Sequence, residues 1–270
     1  MDFQLDEDRR MLADALGRYL SEQYPAEYRN QAAYGERGYS SETYAKLAEI
    51  GAIGALFKEA DGGFGGEGVD IGVVFETLGQ HLVAEPVLGA LLVGRALTEA
   101  GSAAQKARLE DIVAGTTLAA LAHDEPDNHY ELGRVATTAK KNGNGWVLNG
   151  AKAVVPFGDQ AQLLLVSART SGNVGDEAGI SLFLVPGDAA GVSARGYGRI
   201  DGGHAAELVL TDVQVGADAL LGAEGAGHAL LERIVGYGLL ALSAESLGAM
   251  EKAKGDTLEY LRTRKQFGVP

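Results

Sequence analysis

Two short stretches hold residue types that could do chemistry. Gly63-Phe64-Gly65-Gly66-Glu67-Gly68 matches G-x-G-x-x-G, the pattern that lets a backbone approach a dinucleotide pyrophosphate. That pattern works when a strand enters it and a helix leaves it, so that the helix N-terminus faces the phosphates. Here a helix end around Ile50–Phe57 precedes it, and the next element after Val83 is another helix, so a tight interhelical loop is expected instead. The second stretch, His123-Asp124-Glu125-Pro126-Asp127-Asn128-His129, crowds two imidazoles and three carboxylates together, all ligand types for zinc or another divalent metal. Groups packed into one turn cannot all converge on a tetrahedral ion, and Pro126 and Asn128 mark a polar loop leaving a strand. A polar or cofactor-lining loop is expected there, and no metal.

Other chemistries are excluded directly. The chain has no cysteine, which removes thiol nucleophiles, thiolate metal sites, Fe–S clusters and disulfides. It has no G-x-S-x-G elbow, P-loop or H-E-x-x-H helix. The carboxylates of residues 1–117 fall mostly on helix faces with basic neighbours and read as solvated surface. Trp146, in an apolar strand, reads as core.

The elements that must position these residues change character twice along the 270-residue chain. Residues 1–117 carry helical periodicity: a stripe of Phe3, Leu5, Met11, Leu12, Ala15, Leu16 and Tyr19, a capped helix opening at Ser40 and stopping near Gly51, and apolar helices over about 69–82, 86–100 and 103–114. From 118 to 222 short β-like runs alternate with turns such as Asn142-Gly143-Asn144-Gly145 and Asp201-Gly202-Gly203. From Gly227 one long helix runs to about 264, with Gly236, Gly238 and Gly248 among its leucines, and residues 1–226 offer no obvious set of partners for it. The fold class is α+β: a helical N-terminal domain (1–117), an antiparallel β-barrel-like middle domain (118–222) and the start of a C-terminal helical bundle (223–270). A helix apolar on several faces predicts self-association.

Composition narrows the partners. A formal charge of −14 opposes nucleic-acid binding and anionic membranes. No run reaches the roughly 18 apolar residues of a membrane span, and the acidic start lacks the basic and apolar regions of a signal peptide, so a cytoplasmic location is expected.

In this order the segments resemble the acyl-CoA dehydrogenase family, from Phe3 to Pro270. Glu59 to Gly65 is similar to its P-E-E-x-G-G-x-G loop, and Asp124-Glu125-Pro126 falls where the family has T-E-P. Thr137-Thr138-Ala139 and then Gly145 to Lys152 match T-x-A…G-x-x-L-N-G-x-K, while Ile180–Pro186 and Glu207–Val215 match two later strands. Arg264 to Pro270 resembles R-x-Q-F-G-x-P. The resemblance implies FAD between the β-domain and the bundle, partly held by a neighbouring subunit, and removal of an α-proton and a β-hydride from an acyl-CoA thioester. It implies an electron-transfer flavoprotein as acceptor and a homo- or hetero-oligomer. It places His123, Asp124, Val154 and Pro156 near FAD, with Arg264 and Phe267 reaching a neighbour's FAD.

Departures from the family pattern carry their own expectations. Where the family usually has Trp-x-Thr after N-G-x-K, this chain has Val154-Val155-Pro156, and Pro156 has neither hydroxyl nor N–H to offer a flavin edge. Asp124 replaces the usual threonine, and Tyr130-Glu131 replace the G-S-D that follows T-E-P. The family's catalytic glutamate lies beyond position 270 or, in one branch, at the position of Gly238, so neither place supplies a base here. Three readings stay open: the front part of an FAD-dependent acyl-CoA dehydrogenase, the catalytically silent subunit of a heteromeric one, or a flavin-free acyl-CoA-binding module. On the first, the 270 residues alone are expected to be inactive.

Overall fold

The structure, a computed structural model, describes residues 5–266. Phe3 and Phe267, both singled out from the sequence, lie outside them. The first helix, α1 (Glu7–Gln23), is capped by Asp6, whose side chain accepts from the Arg9 N–H, and carries Glu7 and Asp8 in its first turn where the helix dipole favours them. A short α2 (Ala26–Ala33) follows Pro25. No residue pattern announces it, because it buries a single residue, Ala33, and so has almost no apolar stripe. In α3 (Ser41–Ile50) the Ser40 hydroxyl accepts from the Thr43 N–H and Gly51 closes the helix at φ +105°, as their residue types predict.

Two 3₁₀ turns lead into α4 (Gly68–Gln80), followed by α5 (Val87–Ala100), α6 (Ala103–Lys106) and α7 (Arg108–Val113). Residues 63–68 therefore join a 3₁₀ turn to a helix, with no strand feeding them. A Cβ at Gly63 or Gly65 would collide with backbone carbonyls of the preceding turn, and the Gly66 carbonyl accepts from Arg95 Nη2 at 2.6 Å. The glycines serve close packing and not a phosphate.

Among the described residues eight strands form one sheet: β1 (Ala119–Ala122), β2 (Thr138–Asn142), β3 (Gly145–Pro156), β4 (Leu163–Arg169), β5 (Ile180–Pro186), β6 (Val192–Gly198), β7 (His204–Gly216) and β8 (Leu220–Leu221). The order is β6-β7-β3-β2-β4-β5-β8, with β1 added beside β4 and the sheet left open. Most ladders are antiparallel as expected, but β1 and β2 both pair with β4 in parallel, so the sheet is mixed. The reason lies between β1 and β2, where residues 123–137 leave the sheet and return without the tight turn that dictates antiparallel pairing. β6 was missed because its side chains are mostly exposed and its sequence, Val-Ser-Ala-Arg-Gly-Tyr-Gly, has no apolar alternation.

β4 and β5 tie the two halves of the molecule together. Leu163, Leu165, Leu182 and Leu184 face the helices, while Leu164, Val166, Phe183 and Val185 face the second core beneath Trp146, whose ring meets Phe183 edge-on at 5.3 Å. Burial on both faces explains why these strands read as unbroken apolar runs.

The 37-residue α8 (Gly227–Thr263) packs on α4 and α5. This corrects the reading that residues 1–226 offer no obvious set of partners for it. A Cβ at Gly248 would strike the Glu76 carbonyl and one at Gly79 the Glu245 carbonyl, so the missing side chains let α4 and α8 touch backbone to backbone. The opposite face stays open, with Met250 and Leu261 more than 60% exposed. Among the described residues no helix is long and apolar enough to cross a membrane.

A second correction concerns the carboxylates of the helical segment. Asp70 and Glu85 are buried. Asp70 completes a capping box with Glu67 and accepts from Arg9 Nε at 2.7 Å, and Glu85 accepts from the Tyr24 hydroxyl at 2.8 Å. Their partners are far away in sequence, so local charge pattern could not reveal them.

Candidate functional site

A cavity of about 810 Å³ opens between α4–α5, the end of β1, the end of β3 and α8. His123, Asp124, Val154 and Pro156, all singled out from the sequence, share its wall. Arg264 does not. It is exposed beyond the end of α8, with its guanidinium 5.1 Å from the Tyr260 ring centroid.

Backbone irregularity aims β3 at the cavity. The β3–β7 register shifts between Lys152 and Val155, and the Ala153 N–H turns away to donate to the Asp124 carbonyl at 2.8 Å. Val154 is left at φ +51°, a conformation that costs a β-branched residue on the order of 1–3 kcal/mol. Its side chain is 56% exposed, on the cavity. Leu82, Tyr130 and Phe157 also have positive φ and also line the cavity. Strain of this kind gathers where a surrounding structure holds a site open.

Beneath the wall lies a polar network that the sequence did not reveal. Lys152 Nζ donates to Glu125 Oε1 at 2.7 Å, to the His123 carbonyl at 3.0 Å and to Ser167 Oγ at 3.0 Å. The Glu125 carboxylate also accepts from the N–H groups of Ala136 (2.7 Å) and Thr137 (3.0 Å). Burial alone would raise its pKa, but Lys152 and these donors outweigh burial and hold it below the usual carboxylate range. Burial lowers Lys152 to about 8 against the pull of Glu125. In the sequence Lys152 stands out only as the last residue of the Gly145–Lys152 family match, with no role attached to it.

His123 completes the network, its Nδ1 lying 2.9 Å from Ser167 Oγ. The Ser167 hydroxyl, which accepts from Lys152, donates to Nδ1 or accepts from it according to the imidazole tautomer. Nε2 is buried and has no partner among the described residues. Burial, then the Lys152 ammonium, push His123 down to about 4, so the ring is neutral near pH 7. Asp124 Oδ1 accepts from Asn128 Nδ2 at 3.0 Å. The polar stretch 123–129 thus divides its side chains among different partners, and among the described residues no three His, Asp or Glu side chains gather as a metal site.

Two further acids on the wall escaped the sequence reading. Burial raises both Glu85 and Glu245 above the ordinary carboxylate range. Glu245 stands on α8 in line with Val235, Leu239 and Leu242, which also face the cavity.

Comparison with known proteins agrees with this architecture. Residues 6–116 match the acyl-CoA dehydrogenase N-terminal domain family and residues 120–213 match the acyl-CoA dehydrogenase middle domain family. Acyl-CoA dehydrogenase FadE12 of Mycobacterium tuberculosis is 30% identical over 98% of this chain and 69% of its own length. The structure of butyryl-CoA dehydrogenase from Megasphaera elsdenii superposes with a TM-score of 0.91 at 28% identity, covering 100% of this chain and 73% of that one. A glutaryl-CoA dehydrogenase from Mycobacterium smegmatis, solved in complex with FADH2, gives a TM-score of 0.87 at 25% identity, covering 98% and 68%. The chain spans 55% to 72% of the length of eight curated relatives it matches.

Proposed function

The chain belongs to the acyl-CoA dehydrogenase family, and from that premise we propose that the protein takes part in the FAD-dependent α,β-dehydrogenation of an acyl-CoA thioester. The observation that carries this reading is the shared wall: His123, Asp124, Val154 and Pro156 border one cavity that also has apolar sides from α4, α5 and α8. A planar ring system and an acyl chain both need such a space. The residues present fit FAD, because an unpartnered buried Nε2 and a strained bulge stand at the place where the family resemblance puts the flavin. When bound, FAD supplies the two-electron acceptor for the β-hydrogen.

The chain's own residues position the reactants. Val154 and Pro156 supply wall without donating a hydrogen bond from their side chains. Asp124 is oriented by Asn128, whose side-chain amide donates to one of its oxygens. Lys152 and Glu125 fix the end of β3 against β1 from below. Leu88, Leu92 and Leu242 form an apolar lining for an acyl chain. Arg264 and Phe267 are proposed to reach the FAD of a neighbouring subunit, a role that suits the exposure of Arg264 away from its own cavity. An electron-transfer flavoprotein is the proposed acceptor. The division into segments 1–117, 118–222 and 223–270 is proposed as the domain organisation.

A second reading, a silent subunit of a heteromeric dehydrogenase, is favoured by Pro156 in place of a hydroxyl donor and by Gly238, where one family branch has its glutamate and where a Cβ would meet only Leu92. Anaerobic mixing of the FAD-loaded protein with acyl-CoA thioesters separates the two. Loss of the oxidised flavin absorbance supports the dehydrogenase, and retained absorbance with bound thioester supports the silent subunit.

A further inference from the structure

The cavity has a polar far end that the chemistry at the flavin wall does not use. α8 starts beside that wall, where His228 lies close enough to His123 to depress its proton affinity, and Glu245 stands about 25 Å farther along the same helix. Between them Val235, Leu239 and Leu242 give α8 an apolar lining. At Glu245 the wall turns polar. Arg199 and Asp201, from the β6–β7 loop, both line the cavity and lie close enough to Glu245 for their charges to act on its carboxyl. Arg29 of α2 joins them through the Asp201 carbonyl.

Hydrogen bonds sort these groups into spent and free. Arg29 uses all three nitrogens: Nε donates to the Leu82 carbonyl at 3.0 Å, Nη1 to Asn30 Oδ1 at 3.3 Å and Nη2 to the Asp201 carbonyl at 2.6 Å. Arg199 grips both carboxylate oxygens of Asp201 through Nε and Nη2, which leaves its Nη1 without a partner among the described residues. The Glu245 carboxylate makes no hydrogen bond among the described residues. One donor and one acceptor on the same cavity end therefore lack partners, and a half-buried carboxylate without a donor is destabilising unless a ligand supplies one.

We propose that Glu245 and Arg199 read a hydroxyl group at the far end of the acyl group, so that the cavity selects hydroxylated acyl-CoA thioesters over their plain and carboxylated counterparts. This rests on the dehydrogenase reading above, which puts the thioester at the flavin wall. A hydroxyl donates to the carboxylate while accepting from the guanidinium. An ammonium has no lone pair for Arg199, and a carboxylate has no hydrogen for Glu245 and is repelled by its charge. A plain alkyl end leaves both groups unpaired against apolar surface. Burial raises the proton affinity of Glu245, and donation from a bound hydroxyl opposes that shift by stabilising the ionised form.

The test is the calorimetric affinity of the FAD-loaded protein for matched CoA thioesters. Sets of short, medium and long chain each hold an unsubstituted acyl group and its terminal hydroxy, amino and carboxy analogues. At one length the hydroxy thioester is expected to bind about 10-fold or more tightly than its three counterparts. Glu245→Leu is expected to abolish that preference while binding the unsubstituted thioester at least as tightly as wild type. Glu245→Gln, whose amide oxygen still accepts, is expected to keep part of it. Equal wild-type affinity for hydroxy and unsubstituted thioesters at every length overturns the assignment, and so does a preference that survives Glu245→Leu. Weaker binding of the unsubstituted thioester by Glu245→Leu also overturns it, since Glu245 would then shape the cavity and not read a hydroxyl. A wild-type protein that binds none of the thioesters overturns the dehydrogenase reading and the assignment with it, whereas binding without discrimination overturns the assignment alone.

Discussion

The ammonium of Lys152 lies 2.7 Å from Glu125 Oε1, with the two side chains 0% and 7% exposed. The pair pins the end of β1 to β3 directly behind the cavity wall, so it sets both stability and the geometry of the site. Removing one partner leaves the other charged and buried. Lys152→Met is expected to destabilise the fold by about 3–5 kcal/mol, with much less loss when Glu125→Met is added. Urea midpoints of the single and double variants measure this. A single variant as stable as wild type would show that the pair contributes little.

His123 gives stability a pH dependence of known sign. Its folded pKa of about 4 lies below the model-peptide value of 6.5. Between these values the unfolded chain binds a proton that the folded chain refuses, so stability falls as pH drops through this window. The His123 contribution is expected to shrink by about 2 kcal/mol from pH 7 to pH 4.5. Denaturation of wild type and His123→Gln at the two pH values isolates it, since the variant lacks this part of the slope. Equal slopes would contradict the burial argument.

The contact between α4 and α8 depends on glycine at particular positions. Gly79→Ala or Gly248→Ala would place a methyl against the opposite helix backbone, and each is expected to lower stability by about 1–3 kcal/mol. Gly236→Ala, in the same helix but with nothing within 4 Å of the new Cβ, is expected to raise it by up to about 1 kcal/mol. Melting temperatures of the three variants should split in that pattern. A uniform response would mean that the helices can shift apart freely.

Much of this organisation was legible in the sequence because local physics carried it. Ser40 and Gly51 announced both ends of α3, and the unbroken apolar runs of β4 and β5 followed from burial on both faces. The four wall residues were found through a family resemblance and not through their own chemistry, since valine and proline have little. Lys152–Glu125, His123–Ser167 and Glu85–Tyr24 were invisible for another reason: their partners stand 27, 44 and 61 residues apart, and only the fold brings them together. The parallel pairing of β1 with β4 was hidden likewise, because partners such as Ala119 and Leu163 are 44 residues apart.

The bulge at Val154 stores strain that a smaller residue would release. Glycine tolerates φ +51°, and the valine side chain is too exposed to lose much by removal. Val154→Gly is expected to stabilise the protein by about 1 kcal/mol, read as a higher denaturant midpoint. A lower midpoint would show that Val154 packing outweighs its backbone strain.

The central claim is that this cavity brings FAD and an acyl-CoA thioester together for dehydrogenation. Its most direct measurement is the visible absorbance of the FAD-loaded protein after anaerobic mixing with a panel of short-chain, long-chain and ring-bearing acyl-CoA thioesters. The account predicts that at least one thioester abolishes the oxidised flavin absorbance and yields the α,β-unsaturated product. Unchanged absorbance with every thioester, while FAD and thioester are both bound, would contradict it.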